Sequence, residues 1–514
     1  MNARFVISLA SMAAASVAPL VLCGCGSSSS GGGDAGVAAT SAAITCSNVV
    51  AESSCDRTLR PFVFVHGTYG SGDNFAHVAA LLGSNGYCQD RIVAVEYDSL
   101  GDSPGNDCTG TNSPAGCGKI DAAIDAVLKA NPGFTQVDLA GHSQGTAHCA
   151  TYLASHASKV AHYINFSSPQ GAQVGDVQTL SLSSLRDLGG HPNHAFGTST
   201  CTQDVDGGPP VPLPTDAGAD AAPAGDGGAP ACNVIQVTFT QQDHFAVAAS
   251  RDSFIQVYRY LNGHDPQYTD VQCGEDPVTI EGISETFADN TPVAGHVDMH
   301  ELGSTPRQPG ASVNAPPSDA TGHFGPFTAR RGVPYELVGY DASGKIIGYQ
   351  YFSPFKRSNR LVRLLSPASA QDGTLAGGLI ASQSTDHITK TPNSMGIVAR
   401  WYGGAFRQDL GASLKIDGVE VLTDGNAGTT AMTGQLAGGV VGFFMFDANQ
   451  NGKTDLGLPF QGPFLGFTDV FIDATSPRYV TMTLTPGSED PDASDTVTVA
   501  NWPSSQGLVS ITFQ

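Results

Sequence analysis

Basic side chains are scarce in this sequence. Its 514 residues hold 24 Lys and Arg against 47 Asp and Glu, a formal net charge of -23. Binding along a phosphate backbone draws on basic patches, so nucleic acid is set aside as a partner. The acidity bears on solubility and names no substrate. Charge of either sign is low, at 14%, while Gly (62) and Pro (31) are plentiful. That balance disfavours long surface helices and favours strands, turns and loops. Past the first two dozen residues, no apolar run is long enough to span a bilayer. No convincing internal repeat is present. The length leaves room for two or three domains and a large core.

What is present begins with an export signal. Arg4 is the only early cation, and Phe5 to Leu22 is a stretch of apolar and small residues. It ends in Leu22-Cys23-Gly24-Cys25, which resembles a bacterial lipobox. The resemblance implies lipidation at Cys25, which becomes the mature N-terminus, and an envelope lipoprotein at the outer membrane or cell surface. Cys23 fits less well, because Leu22 would then take the small-residue position. A plain secretory signal and an uncleaved spanning helix are the alternatives. Residues 26–45 read as a flexible tether. Export makes disulfides plausible. Nine cysteines follow the signal, from Cys46 to Cys273, so one is left over. Cys149, on an apolar helix, is the expected free thiol. Cys108 with Cys117 and Cys201 with Cys232 are the expected pairs. The pairing of the other four is not legible.

The chain is organised around Gly141-His142-Ser143-Gln144-Gly145. An apolar run, Val137 to Ala140, precedes it, and Thr146 to Ala154 has helical character. Strand, sharp turn, helix is the setting of the G-x-S-x-G nucleophile elbow of α/β-hydrolases, which this segment resembles. Upstream, Pro61–Val65 reads as a strand buried on both faces, and Arg91–Tyr97 as another. Asp73 is the expected N-cap of a helix burying Phe75, Val78, Ala79 and Leu82. Lys119 to Ala130 is an amphipathic helix. Strands follow at Val160–Phe166, Val177–Ser183 and Asn233–Phe239, then a helix at Ser253–Leu261. This alternation predicts an α/β fold, a mainly parallel sheet with helices on both faces, over 46–274. Residues 205–231, rich in Gly, Pro, Asp and Ala, read as a disordered insertion. From Glu275 short β-prone runs recur. Ala288 to Val297 and Gly322 to Phe327 resemble a transthyretin-like sandwich over 275–365, and a second β domain is expected over 366–514.

Three segments, Val63-Phe64-Val65-His66-Gly67, the elbow, and Gln242-Asp243-His244-Phe245-Ala246-Val247, make residues 60–265 similar to α/β-hydrolase lipases and esterases. The added β region resembles that of lipases with a C-terminal β domain. The resemblance implies carboxylic ester hydrolysis on a lipid or ester substrate. Ser143 would be the nucleophile and His244, after the last strand, its base. The N–H groups of Gln144 and of Thr68, or failing that Tyr69, would bind the oxyanion. In some such relatives the acid follows the preceding strand, where this chain has Ser167 and Ser168. That departure puts the acid at Asp187, with Asp176 and Asp204 as competitors. Asp243 ranks low because adjacent side chains diverge. No cofactor is required, although Asp447-Ala448-Asn449-Gln450-Asn451-Gly452-Lys453-Thr454-Asp455 has the oxygen spacing of a structural Ca²⁺ loop. Its twelfth position is Leu458 rather than Glu. His191 and His194 lack the further ligand spacing that zinc would need. A hydrolase of polyesters or other bulky esters, and a non-catalytic lipid- or glycan-binding protein on a hydrolase scaffold, are the competing readings. Oligomeric state is not legible.

Overall fold

A computed structural model describes residues 44, 46–99, 115–168, 177–185, 187, 200–204, 234–287, 289–313, 321–366, 393–423, 441–461, 465–487 and 494–514. Cys25, the tether apart from Ile44, the 205–231 tract, Asp176, His191 and His194 lie outside these residues. So do Cys108, Cys232 and the side chains of Cys117, Cys201 and Asp204.

The first part of the chain runs β1 (Phe62–Val65), α1 (Ala76–Ser84), β2 (Ile92–Val95), α2 (Ala115–Ala130), β3 (Val137–His142), α3 (Gln144–His156), β4 (Val160–Phe166), β5 (Gln178–Ser184), β6 (Thr200–Asp204), β7 (Val234–Phe239), α4 (Ala246–Ala249) and α5 (Arg251–Asn262). All seven strands pair in parallel, in the order β2-β1-β3-β4-β5-β7-β6. The expected α/β architecture is therefore the observed one. Phe62 and Phe64 point into one core and Val63 and Val65 into another, all fully buried. Helices covering both faces explain why β1 is a continuous apolar run instead of an alternating one. The chain leaves β1 toward β2 and then returns to place β3 on the other side. The carboxyl ends of β1 and β3 therefore flank the switch point, where open α/β sheets build their sites.

The remainder is all β. Its first strands are β8 (Val278–Thr286), β9 (Gly295–Leu302), β10 (Pro309–Val313), β11 (His323–Ala329), β12 (Tyr335–Asp341), β13 (Ile346–Phe352) and β14 (Asn359–Ser366). There follow β15 (Ile397–Trp401), β16 (Ser413–Ile416), β17 (Val419–Glu420), β18 (Gly442–Phe446) and β19 (Asp455–Gln461). The last are β20 (Leu465–Asp469), β21 (Tyr479–Thr485), β22 (Asp495–Ala500) and β23 (Leu508–Phe513). One nine-stranded sheet, β10-β9-β12-β13-β23-β15-β18-β20-β19, runs through the whole region, because β23 pairs in parallel with both β13 and β15. Successive side chains of a strand face opposite ways. Leu337 accordingly packs with the β11-β8-β14 sheet on one face, while Val338 packs with the β17-β16-β21-β22 sheet on the other.

The first of these cores is continuous with the seven-stranded parallel sheet. Phe62, Val78 and Phe254 share it with Ile280, Phe324 and Val362. Disulfides Cys46–Cys273 and Cys55–Cys88 tie the α/β unit to itself, and among the described residues Cys149 is free and buried, as expected.

One local expectation fails. Ser71, not Asp73, caps the short 3-10 helix Gly72–Phe75, in a capping box with Asn74. Asp73 lies inside that turn, fully buried, and pairs with Arg400 from β15. The residues around Asp73 carry no sign of a partner so far along the chain.

The two disulfides close loops with sequence separations of 227 and 33. Chain entropy then predicts a loss of about 5 kcal/mol on removing Cys46–Cys273 by double Ser substitution, and about 4 for Cys55–Cys88. Denaturant unfolding of each variant against the parent checks the order.

Candidate active site

The site grows from β3. His142 ends the strand, Ser143 follows with φ 50° and ψ -120°, and α3 starts at Gln144. A positive φ on a non-glycine residue is strained, and the surroundings hold it. The Ser143 N–H donates to the Phe166 carbonyl at 3.0 Å, and the Ser143 carbonyl accepts from Thr146 N–H (3.0 Å) and Oγ1 (2.6 Å). A Cβ on Gly145 would come 2.3 Å from the Val65 carbonyl oxygen, and one on Gly67 would come 2.7 Å from Ser143 Cβ. Both glycines are required by close approach of backbone to backbone or to the serine.

The His loop follows β7 and the acid loop follows β5. Asp187 Oδ1 is hydrogen-bonded to His244 Nδ1, with both side chains about nine-tenths buried (10% and 7% exposed). Neighbouring bonds set the two loops together: Ser184 Oγ donates to the Gln242 carbonyl at 2.7 Å, and Leu185 N–H to the Phe239 carbonyl at 2.8 Å. His142 Nε2 meets the His244 carbonyl at 2.9 Å, and the two rings lie 4.7 Å apart. The elbow and the His loop are thus adjacent. Burial opposes ionisation of Asp187, but the charge of His244 and its hydrogen bond outweigh it and hold the carboxyl below its ordinary value. Asp243 is occupied elsewhere. It accepts from Phe245 N–H (2.7 Å) and Ala246 N–H (3.0 Å) at the start of α4, and from Ala405 N–H at 3.3 Å.

The loop after β1 carries the other expected donor. Thr68 Oγ1 donates to Gln144 Oε1 at 2.9 Å, so the two residues expected to bind an oxyanion touch. Tyr69, the alternative, spends its N–H on Ser99 Oγ at 3.0 Å. This loop is held from the β region. Asn290, 4% exposed with φ 50°, reaches in from the turn between β8 and β9. Its Nδ2 donates to the carbonyls of Gly70 (2.8 Å) and Tyr97 (3.1 Å) and lies 3.1 Å from His66 Nε2. Arg363 in β14 donates through Nε to Glu96 Oε1 at 2.8 Å, and the same carboxylate oxygen accepts the Gly72 N–H at 2.7 Å. Burial works against the Glu96 charge, yet the Arg363 guanidinium and His66 hold its pKa down at about 2.

Sequence reasoning missed Asn290, Arg363, Arg400 and Ala405. A faint signal exists for two of them. Arg363 interrupts the apolar run Leu361-Val362-Arg363-Leu364-Leu365, and Arg400 interrupts Ile397-Val398-Ala399-Arg400-Trp401. A lone charge in a buried strand needs a partner. In the Asp447–Asp455 loop, the oxygens that would face a cation accept backbone N–H groups. Asp447 takes Asn451 at 3.1 Å and Gly452 at 3.0 Å, and Asn449 takes Asn451 at 2.9 Å. Among the described residues, no cluster of three or more His, Cys, Asp or Glu is placed to hold a metal.

Residues 60–184 match the alpha/beta hydrolase fold family, residues 276–369 the lipase C-terminal domain family, and residues 396–514 a further C-terminal domain family. The fold is an α/β-hydrolase with a lipase-type C-terminal β domain. Among solved structures, the mature lipase BlEst2 of Bacillus licheniformis is similar at 20% identity and TM-score 0.18, over 23% of this chain and 44% of that one. The match therefore spans less than half of that lipase. The lin2722 gene product of Listeria innocua is similar at 14% identity and TM-score 0.25, over 41% and 97% of the two chains. Phospholipase PlaB of Legionella pneumophila is similar at 11% and 0.21, over 62% and 98%. No curated protein matches. The fold assignment accordingly stands on the family matches and the sheet topology.

Two buried imidazoles near the elbow make a prediction about acid. Burial holds His142 down at about 3 and His148 at about 4. Unfolded histidines titrate at about 6.5, so the unfolded chain takes up protons first as pH falls. Stability is whole above that value and is lost progressively toward pH 4. Among the described residues neither ring nitrogen of His148 has a hydrogen-bond partner, and the ring meets Tyr97 edge-on at 4.5 Å. His148→Phe should therefore flatten the fall of Tm between about pH 6.5 and 4 without lowering Tm at pH 7. A series of melts across that range reads the slope.

Proposed function

We propose that this protein is an exported serine hydrolase of carboxylic esters, with Ser143, His244 and Asp187 as its triad. The observation that carries the reading is the Asp187 carboxylate on His244 Nδ1, beside an elbow serine held at positive φ. With Nδ1 bonded to Asp187, Nε2 is the nitrogen left for the serine proton. Ser143 Oγ attacks the ester carbonyl while His244 takes its proton, then returns it to the departing alcohol. Asp187 keeps the imidazole in the required tautomer and stabilises the imidazolium. Its depressed pKa keeps it ionised for that role.

The amides of Gln144 and Thr68 receive the oxyanion. Gln144 opens α3 directly after Ser143, and the engagement of Tyr69 N–H with Ser99 favours Thr68 as the second donor. Each such donor is worth about 2.7–4 kcal/mol in the transition state. Water then cleaves the acyl-enzyme by the same base. The chemistry draws only on the chain's own groups and calls for no cofactor.

The match of residues 276–369 to a lipase C-terminal domain favours a lipid ester as substrate. Two disulfides support export, and lipidation at Cys25 would anchor the enzyme to the envelope.

Ser143→Ala should abolish p-nitrophenyl ester hydrolysis and fluorophosphonate labelling together. Asp187→Asn should keep the label site but lower kcat by about 10⁴, because the imidazole is left in the wrong tautomer. Retained labelling in Ser143→Ala would place the nucleophile elsewhere.

A further inference from the structure

A second cleft, of about 510 Å³, lies against α1 and the segment joining β13 to β14. None of Ser143, Asp187 or His244 lines it. Its volume falls within the roughly 300–1,000 Å³ typical of small-molecule sites. Two features of its wall need a common explanation.

The first is a buried cation with no direct ion pair. Arg357 is 3% exposed. Its Nη1 donates to Ser84 Oγ (2.9 Å) and the Gln272 carbonyl (3.1 Å), while among the described residues its Nε has no partner. Among the described residues no carboxylate lies within ion-pair distance of it; burial draws its pKa down to about 10, and the more distant charge of Glu52 offsets only part of that. The other guanidiniums of the cleft differ. Arg251 pairs with Asp270 at 3.3 Å and Arg360 with Glu281 at 2.5 Å. The exposed Lys356 adds a positive charge next to Arg357 in the chain, and its charge acts on Asp495 of the same lining. A buried charge without a direct ion pair is costly. A chain of net charge -23, with 24 cations in all, has no general surplus of positive charge to bury.

The second feature is an apolar wall. Ala76, Ala79 and Ala80 stand at i, i+3 and i+4, one face of α1, and Leu361 joins them. Gln89 Oε1, on the same lining and 8% exposed as a residue, is also without a partner among the described residues.

We propose that this cleft binds an acyl carboxylate, with Arg357 taking the carboxylate and the α1 wall taking the hydrocarbon. The anion supplies the direct ion pair that Arg357 lacks among the described residues, and the alanine face accounts for the space beside it. The reading of Ser143 as an ester hydrolase enters only in naming the source: ester cleavage releases this class of ligand, so the cleft is a product site separate from the catalytic loops.

The test titrates decanoate into the full-length Ser143→Ala protein by calorimetry, with decanol and inorganic phosphate as controls. Removing turnover keeps this result independent of the esterase assay. Saturable decanoate binding is expected, with decanol and phosphate each at least tenfold weaker. Arg357→Gln should weaken decanoate at least tenfold. Ala80→Trp, which fills the cleft from a half-buried position, and Lys356→Glu, at an exposed one, should also weaken it and do not depend on Arg357→Gln folding. Absence of saturable decanoate binding overturns the proposal. So does decanoate binding unchanged by Ala80→Trp, or phosphate binding as tight as decanoate.

Discussion

A buried polar joint between the β region and the loop after β1 is the constraint on which the site depends. Arg363 pairs with Glu96, Arg400 pairs with Asp73, and the Asn290 amide fills the centre of the loop. Buried charges are tolerated when they are paired and hydrogen-bonded. A third carboxylate, Glu285, sits fully buried beside Arg363 at 3.5 Å. Burial and the nearby Glu96 charge push its pKa well up. Burial thus favours the neutral form of Glu285 beside the two ion pairs. Removal of one partner would strand a buried charge at a cost of about 3–5 kcal/mol.

The same region reaches the other half of the site. Ala405 N–H donates to Asp243, whose carboxylate also caps the start of α4, one residue from His244. The two loops on which the proposed chemistry depends, one with Thr68 and one with His244, are therefore both braced by strands that come later in the chain. Loops position reactive groups well only when a rigid scaffold fixes them. Here part of that scaffold is the appended β structure, whose first core is continuous with that of the hydrolase sheet.

Much of this was legible because it is local. The apolar run of β1, the glycines around Ser143 and the helical face of α1 are patterns within a dozen residues, and the fold class followed from their alternation. The structure also brings Asp187 and His244 together from loops placed by strand order alone. What was not legible is pairing at long range. Asp73 carries the sequence signature of a cap, but Ser71 takes that role and Asp73 turns inward to a residue 327 positions away. Asn290 stood in a phrase read as a sandwich edge, and nothing nearby distinguishes its amide from that of any turn asparagine. The merging of the C-terminal strands into one nine-stranded sheet likewise depends on β23 returning to β13, a contact between residues about 160 apart in the chain.

The most direct measurement is kcat and KM for a p-nitrophenyl ester in full-length Asn290→Gly. Glycine accepts the positive φ of this position and removes only the amide. If that amide holds the oxyanion loop, kcat falls by about tenfold or more, KM stays within about twofold, and Ser143 still accepts a fluorophosphonate, because small misplacements of catalytic groups cost rate before binding. A kcat equal to that of the parent would contradict the dependence of the site on the β region.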